Sequence, residues 1–318
     1  MPAASVVIPT RNRRHELDRA IQSLRSQTLP DWELVVVDDA STDDTWQFLS
    51  CLDDPRIRVE QLNQRSERSV ARNHGLRLVT SPAVLFLDDD DELQPAALEL
   101  LTRALERNPT VCASVGAVID DVDGLRKRPP FPKRPRLLDV RLELLAGWVA
   151  LGGQSLMRTE LLRAAGGWRE ELVVAEDQEL WLRLCGRGPV AIIPESVLTH
   201  RPHGLAGDAP GHRDVERGLL VEYLDRRPDP NGRAARAVAA REHLRDAYVA
   251  LESGAYRSAL YPTLRGVGTA PFLLASPLVG PGIAKGLLYA VVAAALPPAA
   301  TGRLRDAVRR RRARAHCS

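Results

Sequence analysis

The stretch AVLFLDDDD, residues 83–91, determines the fold class of this 318-residue chain. Its five apolar residues predict a buried strand, and its four aspartates follow at the carboxyl end of that strand. Like charges at this spacing repel one another and raise one another's pKa unless a cation lies among them. A divalent metal at the strand end is the simplest interpretation, because open α/β sheets bind ligands there. A solvated turn or a helix N-cap is the alternative for an isolated acidic run.

Buried strands alternate with helices on both sides of this stretch. Apolar runs predict strands at residues 5–8, 33–37, 57–59, 83–87 and 111–119. Helical spacing of apolar residues predicts helices near residues 17–24, 41–49, 69–79 and 96–107. This alternation favours a mainly parallel sheet with right-handed crossovers, and strands that are apolar throughout indicate a sheet covered on both faces. The fold class is therefore α/β.

The second half of the chain carries weaker patterns. Residues 124–136 combine prolines, a glycine and six basic residues without an apolar period, which predicts a mobile loop. We expect regular structure again at residues 137–146, 154–158 and 159–165, then a helix that begins at residue 176 and a short strand at 190–193. Beyond about residue 215 the Ala- and Arg-rich sequence predicts helices.

Composition limits the classes of protein that fit. A hydrophobic content of 44% supports a large core, and a net charge of +3 is too small to indicate a nucleic-acid partner. Cys51, Cys112, Cys185 and Cys317 are scattered without metal-binding spacing, so we expect reduced thiols. The first predicted strand begins at about residue 4, which leaves no room for a signal peptide. The sequence thus predicts a cytoplasmic protein.

Three predicted strands end in polar residues that would meet at one crevice of a doubly wound sheet. The strand ends are IPTRNR at residues 8–13, VDDASTD at 37–43 and LDDDDELQP at 87–95. Further motifs are VARNHGL at residues 70–76, GGW at 166–168 followed by EDQELWLR at 176–183, and HRPH at 200–203. Together these motifs resemble those of the family 2 glycosyltransferases over about residues 4–205.

The resemblance implies a GT-A fold, which is Rossmann-like, and inverting transfer of a sugar from a nucleotide-diphosphate donor, most simply a UDP-sugar. It implies a catalytic domain at residues 1–215, with a nucleotide-binding half at about 1–120 and an acceptor half at about 121–215. A helical C-terminal region at 216–318, with an apolar stretch and an Arg-rich tail, would follow.

The resemblance also implies which residues hold the nucleotide. Asp39 would accept a hydrogen bond from the base, while Asp43 is better suited to capping a helix. Pro9 and Thr10 would shape the backbone against the base. The family usually has Tyr at the position of Arg11, whose guanidinium plane can still stack on a base.

In the acidic run, Asp88 and Asp90 match the DxD motif of the family. The resemblance implies that Asp90 ligates Mg²⁺ or Mn²⁺ and that Asp88 faces the ribose, the sugar or the water shell of the metal. Asp89 would join the donor site, although Asp89 or Asp91 could instead cap the next helix.

Two basic residues complete the implied donor site. Arg72 would contact the pyrophosphate, and its alternative is an ordinary helix-surface arginine. His203 would be a further metal ligand or diphosphate contact, although a lone loop histidine is usually neither.

Inversion in a single displacement requires a general base that deprotonates the acceptor hydroxyl. Asp177 matches the catalytic aspartate of the family, and the N-terminus of a helix stabilises its ionised form. The alternative is that Glu176 and Asp177 are ordinary acidic residues of a first helical turn.

The apolar stretch between residues 266 and 302 contains a single charged residue, Lys285, and its first half is interrupted by prolines. Its uninterrupted part, residues 286–296, is too short to span a bilayer, which takes about 20 residues. Seven arginines follow between residues 303 and 314. Residues 266–314 therefore predict either a peripheral membrane contact or a helical subdomain with a solvated basic end.

We expect a metal-dependent glycosyltransferase that acts on a carbohydrate or lipid-linked acceptor in polysaccharide, glycolipid or cell-envelope assembly. A sugar-nucleotide pyrophosphorylase is a less suitable alternative, because residues 9–14 lack the glycines of its phosphate loop. A catalytically inactive nucleotide-sugar-binding scaffold is the alternative outside the enzymes.

Overall fold

A computed structural model describes residues 1–122, 124–201, 211–227, 229–252 and 255–295. The strands are β1 Ala4–Thr10, β2 Trp32–Asp38, β3 Ile57–Gln61, β4 Ala83–Phe86, β5 Glu92–Leu93, β6 Ala113–Val122, β7 Leu125–Lys127, β8 Arg136–Leu138, β9 Ser155–Arg158 and β10 Val190–His200. The helices are α1 Arg14–Arg25, α2 Thr45–Ser50, α3 Arg68–Leu78, α4 Ala97–Arg107, α5 Arg141–Leu145, α6 Thr159–Ala164, α7 Glu176–Leu184, α8 His212–Asp225, α9 Arg233–Glu252, α10 Tyr256–Thr269 and α11 Gly280–Ala295.

One sheet has the strand order β3-β2-β1-β4-β9-β6-β10-β5, with β7 paired to β6 and β8 paired to β10. Its β3-β2-β1-β4 portion is parallel, as the alternating pattern predicts. Strand β9 then runs antiparallel to both β4 and β6. The α/β class is thus confirmed, and the antiparallel insertion was not predicted.

Apolar strands and amphipathic helices form the main core. In β1, Val6, Val7 and Ile8 are fully buried, and in α1 the buried residues recur at helical spacing from Leu17 to Leu24. Because β1 lies between β2 and β4 and is covered on both faces, its side chains need no polar alternation. Its carboxyl end, with those of β2 and β4, is therefore held at a fixed position on one edge of the sheet.

Two predictions for the second half need correction. Residues 124–136 were expected to be a loop, yet they contain β7 and the start of β8. The short strand expected at 190–193 continues as β10 to His200. Both strands β7 and β8 are made of exposed or partly exposed residues, so the apolar pattern that reveals buried strands is missing there.

The chain divides into two compact units. The first contains Met1–Val140 and Val149–Leu219, and it includes the whole sheet. The second contains Arg141–Trp148 and the described residues from Leu220 onward, with α9, α10 and α11 packed on one another. No helix in the described ranges has the length and apolarity that crossing a bilayer requires.

Candidate active site

A cleft of about 800 Å³ opens at the carboxyl ends of β1, β2 and β4. Eight residues predicted for the site line it: Pro9, Thr10, Arg11, Asp39, Asp88, Asp89, Asp90 and Asp177. Arg72 lies beneath the cleft and contacts its carboxylates, while His203 lies outside the described residues. The structure therefore brings together side chains that are far apart in sequence.

Strained backbone surrounds the cleft. Among the described residues, four other than glycine adopt positive φ, namely Asn12 at 54°, Ala40 at 55°, Glu67 at 75° and Ala175 at 58°. Three of them line the cleft, and Ala40 follows directly after Asp39. Such conformations cost about 1–3 kcal/mol each and persist where the surrounding structure enforces them, commonly at functional sites.

Asp39 is held rigidly at the end of β2. Its Oδ1 accepts hydrogen bonds from the backbone N–H of Ser66 at 2.7 Å and from the Ser66 hydroxyl at 2.9 Å, while Oδ2 accepts from the Glu67 N–H at 3.2 Å. A carboxylate has about four acceptor sites, so one remains for a base N–H. Arg11 contributes a buried Nε without a hydrogen-bond partner among the described residues. Both features are compatible with the nucleotide subsite expected here.

Arg72 is the central cation of the site. Helix α3 can approach β1 closely because Gly75 has no side chain; a Cβ there would lie 2.4 Å from Val7 Cγ1. This packing buries Arg72, which is only 2% exposed, and its guanidinium lies 4.4 Å above the Trp168 ring. The alternative of an ordinary surface arginine is therefore wrong.

Three carboxylates surround the Arg72 guanidinium. Nη2 donates to Asp88 Oδ1 at 2.8 Å, and Nη1 lies 3.3 Å from Glu176 Oε1 and 3.7 Å from Asp177 Oδ1. Desolvation works against ionisation of Asp88, but the charge and hydrogen bond of Arg72 outweigh it and lower the pKa of Asp88. One arginine thus links Asp88, the DxD carboxylate that follows β4, to the carboxylates of α7.

Asp177 occupies the first turn of α7, directly after the left-handed residue Ala175 and Glu176. Its side chain is about one third exposed to the cleft, whereas Glu176 is buried. Desolvation raises the pKa of Asp177 to about 7, with further contributions from the Glu176 and Asp88 charges and against the opposing effect of Arg72. A carboxyl group with this pKa can accept a proton near neutral pH.

The aspartates that follow Asp88 have distinct partners. Asp89 accepts a hydrogen bond from Thr10 Oγ1 at 2.7 Å, and burial raises its pKa to about 6. Asp90 accepts a hydrogen bond from Arg13 Nη1 at 2.5 Å. Asp91 accepts one from the Arg201 N–H at 2.9 Å, and burial raises its pKa to about 7. Only the first three aspartates of the run line the cleft.

The carboxylates of the acidic run are suitable ligands for a hard divalent cation. Asp88 and Asp90 present side chains that are 47% and 15% exposed, and carboxylate oxygens are the ligands that Mg²⁺ and Mn²⁺ prefer. The charges of Asp88 and Asp90 also contribute to the raised pKa of Asp89, so the run carries negative charge that a cation would compensate. Among the residues that the structure describes, no three acidic, His or Cys side chains surround one point. Of the predicted metal ligands, Asp88 and Asp90 therefore lie in the cleft, while His203 lies outside the described residues.

Sequence reasoning missed three polar residues of this region. Arg13 contacts Asp89 and Asp90 through Nη1, and Glu176 contacts Arg72. His200 lines the cleft with Nδ1 3.1 Å from Asp120; burial opposes its protonation, but the nearby carboxylates outweigh this and raise its pKa. The signal available for Arg13 was its place at a strand end opposite an acidic strand end.

Comparisons with known proteins agree with this geometry. A family model described as Glycosyl transferase family 2 matches residues 5–166. The GalNAc(5)-diNAcBac-PP-undecaprenol beta-1,3-glucosyltransferase of Campylobacter jejuni is 43% identical over 105 residues, which is 32% of this chain and 34% of that protein. WcaA of Escherichia coli, named as a glycosyl transferase of colanic acid biosynthesis, is 29% identical over 223 residues, which is 64% of this chain and 74% of that protein.

Solved structures show the same fold. The crystal structure of S. aureus TarS in complex with UDP-GlcNAc superposes with a TM-score of 0.66 at 19% sequence identity, covering 92% of this chain and 88% of that chain. At this identity the likeness establishes the fold alone. The chain spans about a third of the length of the Campylobacter jejuni relative.

Proposed function

We propose that this chain, which belongs to glycosyl transferase family 2, is an inverting glycosyltransferase that uses a nucleotide-diphosphate sugar. The acceptor would be a hydroxyl group of a carbohydrate or lipid-linked carbohydrate in polysaccharide, glycolipid or cell-envelope assembly. The observation that carries this proposal is the bridge from Asp88 through Arg72 to Asp177. The bridge supports the proposal because the carboxylate proposed to face the donor and the carboxylate proposed to remove the proton contact the same buried arginine.

The residues of the cleft suit a single displacement. In this mechanism, Asp177 takes the proton of the acceptor hydroxyl, whose oxygen forms a bond to the anomeric carbon on the face opposite the leaving group. The bond from the anomeric carbon to the phosphate oxygen breaks, and the nucleoside diphosphate leaves. Arg72 acts as a positioning residue because its guanidinium fixes Asp88 and Asp177 relative to each other.

Mg²⁺ or Mn²⁺, held by Asp90 and Asp88, would supply charge neutralisation for the leaving diphosphate. Asp39, Pro9, Thr10 and Arg11 would hold the nucleotide at the ends of β1 and β2. The proposal also includes the predicted diphosphate contact of Arg72, the predicted role of His203 as a further metal ligand or diphosphate contact, and the donor role of Asp89.

The names of the relatives support the substrate classes. One bacterial relative is named for transfer to an undecaprenol-linked glycan, another for colanic acid biosynthesis, and the structural neighbour is bound to UDP-GlcNAc. We therefore favour a UDP-sugar donor and an acceptor of the cell envelope. The nucleotide-binding half at about residues 1–120 and the acceptor half at about 121–215 belong to the same proposal.

We also propose that the enzyme works in the cytoplasm, at the inner face of the membrane. The outward face of α11 carries Leu288 and Val291, which are 61% and 48% exposed, and α10 exposes Tyr261 and Leu264. Exposed apolar residues followed by an Arg-rich segment favour peripheral binding to anionic lipid. The predicted contact region 266–314 extends beyond the described residues at 295. Sedimentation with anionic and neutral vesicles tests it, and binding that Leu288→Asp leaves unchanged would contradict it.

The decisive experiment for the reaction replaces Asp177 with Asn. Turnover of nucleotide sugars with Mn²⁺ present should fall by at least a hundredfold, the lower range for loss of a general base, while UDP affinity stays nearly unchanged. Glu171→Gln is the matched control, because Glu171 is an exposed acid of the preceding turn that pairs with Arg169. Unchanged turnover in Asp177→Asn contradicts the base assignment. UDP binding without turnover in the native enzyme, across all donors and acceptors tested, would favour the inactive scaffold.

A further inference from the structure

Arg13 lies at the start of α1, beside the acidic run, and none of the sequence motifs assigns it a function. Its Nη1 is 2.5 Å from Asp90 Oδ2 and 3.1 Å from Asp89 Oδ1. Asp90 is the carboxylate proposed to hold the divalent cation. Arg13 therefore neutralises the same group that the cation requires, and the two cannot both use that oxygen fully.

Arg13 can exchange its ion pairs with Asp89 and Asp90 for another anionic partner. Its side chain is 44% exposed, and both contacts use a single nitrogen rather than the two-pronged grip of a guanidinium on one carboxylate. The carboxylates are only 9% and 15% exposed, but the half-exposed guanidinium can be solvated by water as it leaves them. Arg72, which is 2% exposed and contacts Asp88, Glu176 and Asp177, is held far more firmly. Of these two arginines, Arg13 is the one that can leave its carboxylate.

A nucleoside diphosphate offers Arg13 a second partner. Arg13 lines the same cleft as Arg11 and Asp88, so phosphates bound there lie within the reach of a flexible arginine. Phosphate oxygens match the fork of a guanidinium and can replace the carboxylate as its partner. The cation would then take Asp90 together with the phosphates, and Arg13 would keep an anionic partner throughout.

We propose that Arg13 pairs with Asp90 in place of the divalent cation until a nucleoside diphosphate binds. The guanidinium then leaves Asp90 and binds the phosphate oxygens. This inference rests on the proposed donor and metal sites. It makes binding of cation and nucleotide cooperative, because the cation alone must compete with Arg13 whereas the cation with nucleotide does not. By linkage, each ligand raises the affinity of the other by the same factor.

The test measures Mn²⁺ binding by electron paramagnetic resonance and UDP binding by calorimetry, each with and without the other ligand. The proteins are the native enzyme, Arg13→Gln, Arg13→Lys and Arg14→Gln. Arg14 is the matched control, since its side chain is 43% exposed and pairs with Asp44 at 2.7 Å. Thermal melting of each variant checks that the fold is intact, and Arg13→Lys keeps the positive charge.

Arg13→Gln should bind Mn²⁺ alone about fivefold more tightly, the upper range for removing a half-exposed ion pair. Its UDP affinity in saturating Mn²⁺ should fall by about threefold or more, so the cooperativity between the two ligands shrinks. Arg14→Gln should stay within about twofold of the native enzyme in both measurements. Arg13→Lys, which keeps the charge but lacks the guanidinium fork, should fall between the native enzyme and Arg13→Gln. Native Mn²⁺ affinity in Arg13→Gln would overturn the proposal while leaving the donor site intact. Absence of Mn²⁺ binding in every protein, with or without UDP, would instead overturn the proposed metal site, and this inference with it.

Discussion

Replacement of Arg72 with Met gives the sharpest test of how this site is built. The substitution keeps an unbranched side chain of similar length in a position that is 2% exposed, but it removes the charge shared by three carboxylates. Glu176 is 5% exposed and would be left without its buried counterion. Removing one partner of a buried ion pair costs about 3–5 kcal/mol, because the remaining charge stays desolvated. Loss of the cation–π contact with Trp168 adds about 1 kcal/mol.

We therefore expect the free energy of unfolding to fall by about 4–6 kcal/mol. For a unit of this size, each kcal/mol lowers the melting temperature by about 2–4 °C, so a drop of about 8–24 °C should be measured. The loss should be smaller at pH 5.5 than at pH 8, because Asp88, whose pKa is lowered by the charge and hydrogen bond of Arg72 in the native protein, can take up a proton more readily once that arginine is gone. Urea denaturation without ligands at both pH values measures these quantities.

The double variant Arg72→Met with Glu176→Gln isolates the pair. If the arginine acts through this carboxylate, the double variant should recover about 1–3 kcal/mol relative to the sum of the single variants. Arg58→Met is the control, since Arg58 pairs with Glu60 on the surface and its side chain is 55% exposed. A loss below about 1 kcal/mol in Arg72→Met, or strict additivity in the double variant, would refute the reasoning.

Three further predictions follow from the carboxylates and the packing around them. The kcat/KM of the native enzyme should decline as the pH falls through about 7, because Asp177 must be ionised to accept a proton; a profile flat from pH 6 to 8 would contradict this. The ligand-free protein should lose stability as the pH rises from 5 to 8. Asp89, Asp91 and Asp177 have raised pKa values in the folded state, so at these pH values the folded protein binds protons that the unfolded chain has already released. Mn²⁺ with UDP should reduce that slope in urea titrations, and an equal slope with and without them would argue against a cation at the site. Gly75→Ala should lower the free energy of unfolding by about 1–3 kcal/mol, because the new Cβ would lie 2.4 Å from Val7 Cγ1; an unchanged urea midpoint would show that α3 can move away from β1.

The first half of the fold was predictable because its strands are buried on both faces. Runs such as residues 33–37 have no polar member facing solvent apart from Glu33, so apolar content alone reveals them. The hairpin strand β7 and the edge strand β8 escaped prediction, since they are made of charged and exposed residues. Their pairing with β6 and β10 depends on backbone hydrogen bonds, which any residue type can form and which the amino-acid composition therefore does not predict.

The candidate site was predictable residue by residue where a motif existed, but not in its connections. Asp177 and Asp88 could each be proposed from sequence, while nothing in the sequence shows that Arg72 joins them. Arg72 and Glu176 are separated by 104 positions, and only the packing of α3 on β1 and the placement of α7 make them neighbours. Long-range ion pairs of this kind follow from tertiary contacts rather than from local spacing.

The acidic run separates the properties that the sequence determines from those that only the tertiary structure decides. Sequence alone determined that a buried strand ends in four aspartates at the ligand-binding edge of an α/β sheet, because periodicity and apolar content are local properties. Only the fold gave the aspartates different environments. Asp88 forms an ion pair with the buried Arg72, and Asp89 and Asp90 form ion pairs with Arg13. Asp91 accepts a hydrogen bond from the backbone N–H that follows β10. The physical reason is that a carboxylate's pKa and partners depend on the dielectric and the charges within a few ångströms, which distant parts of the chain supply.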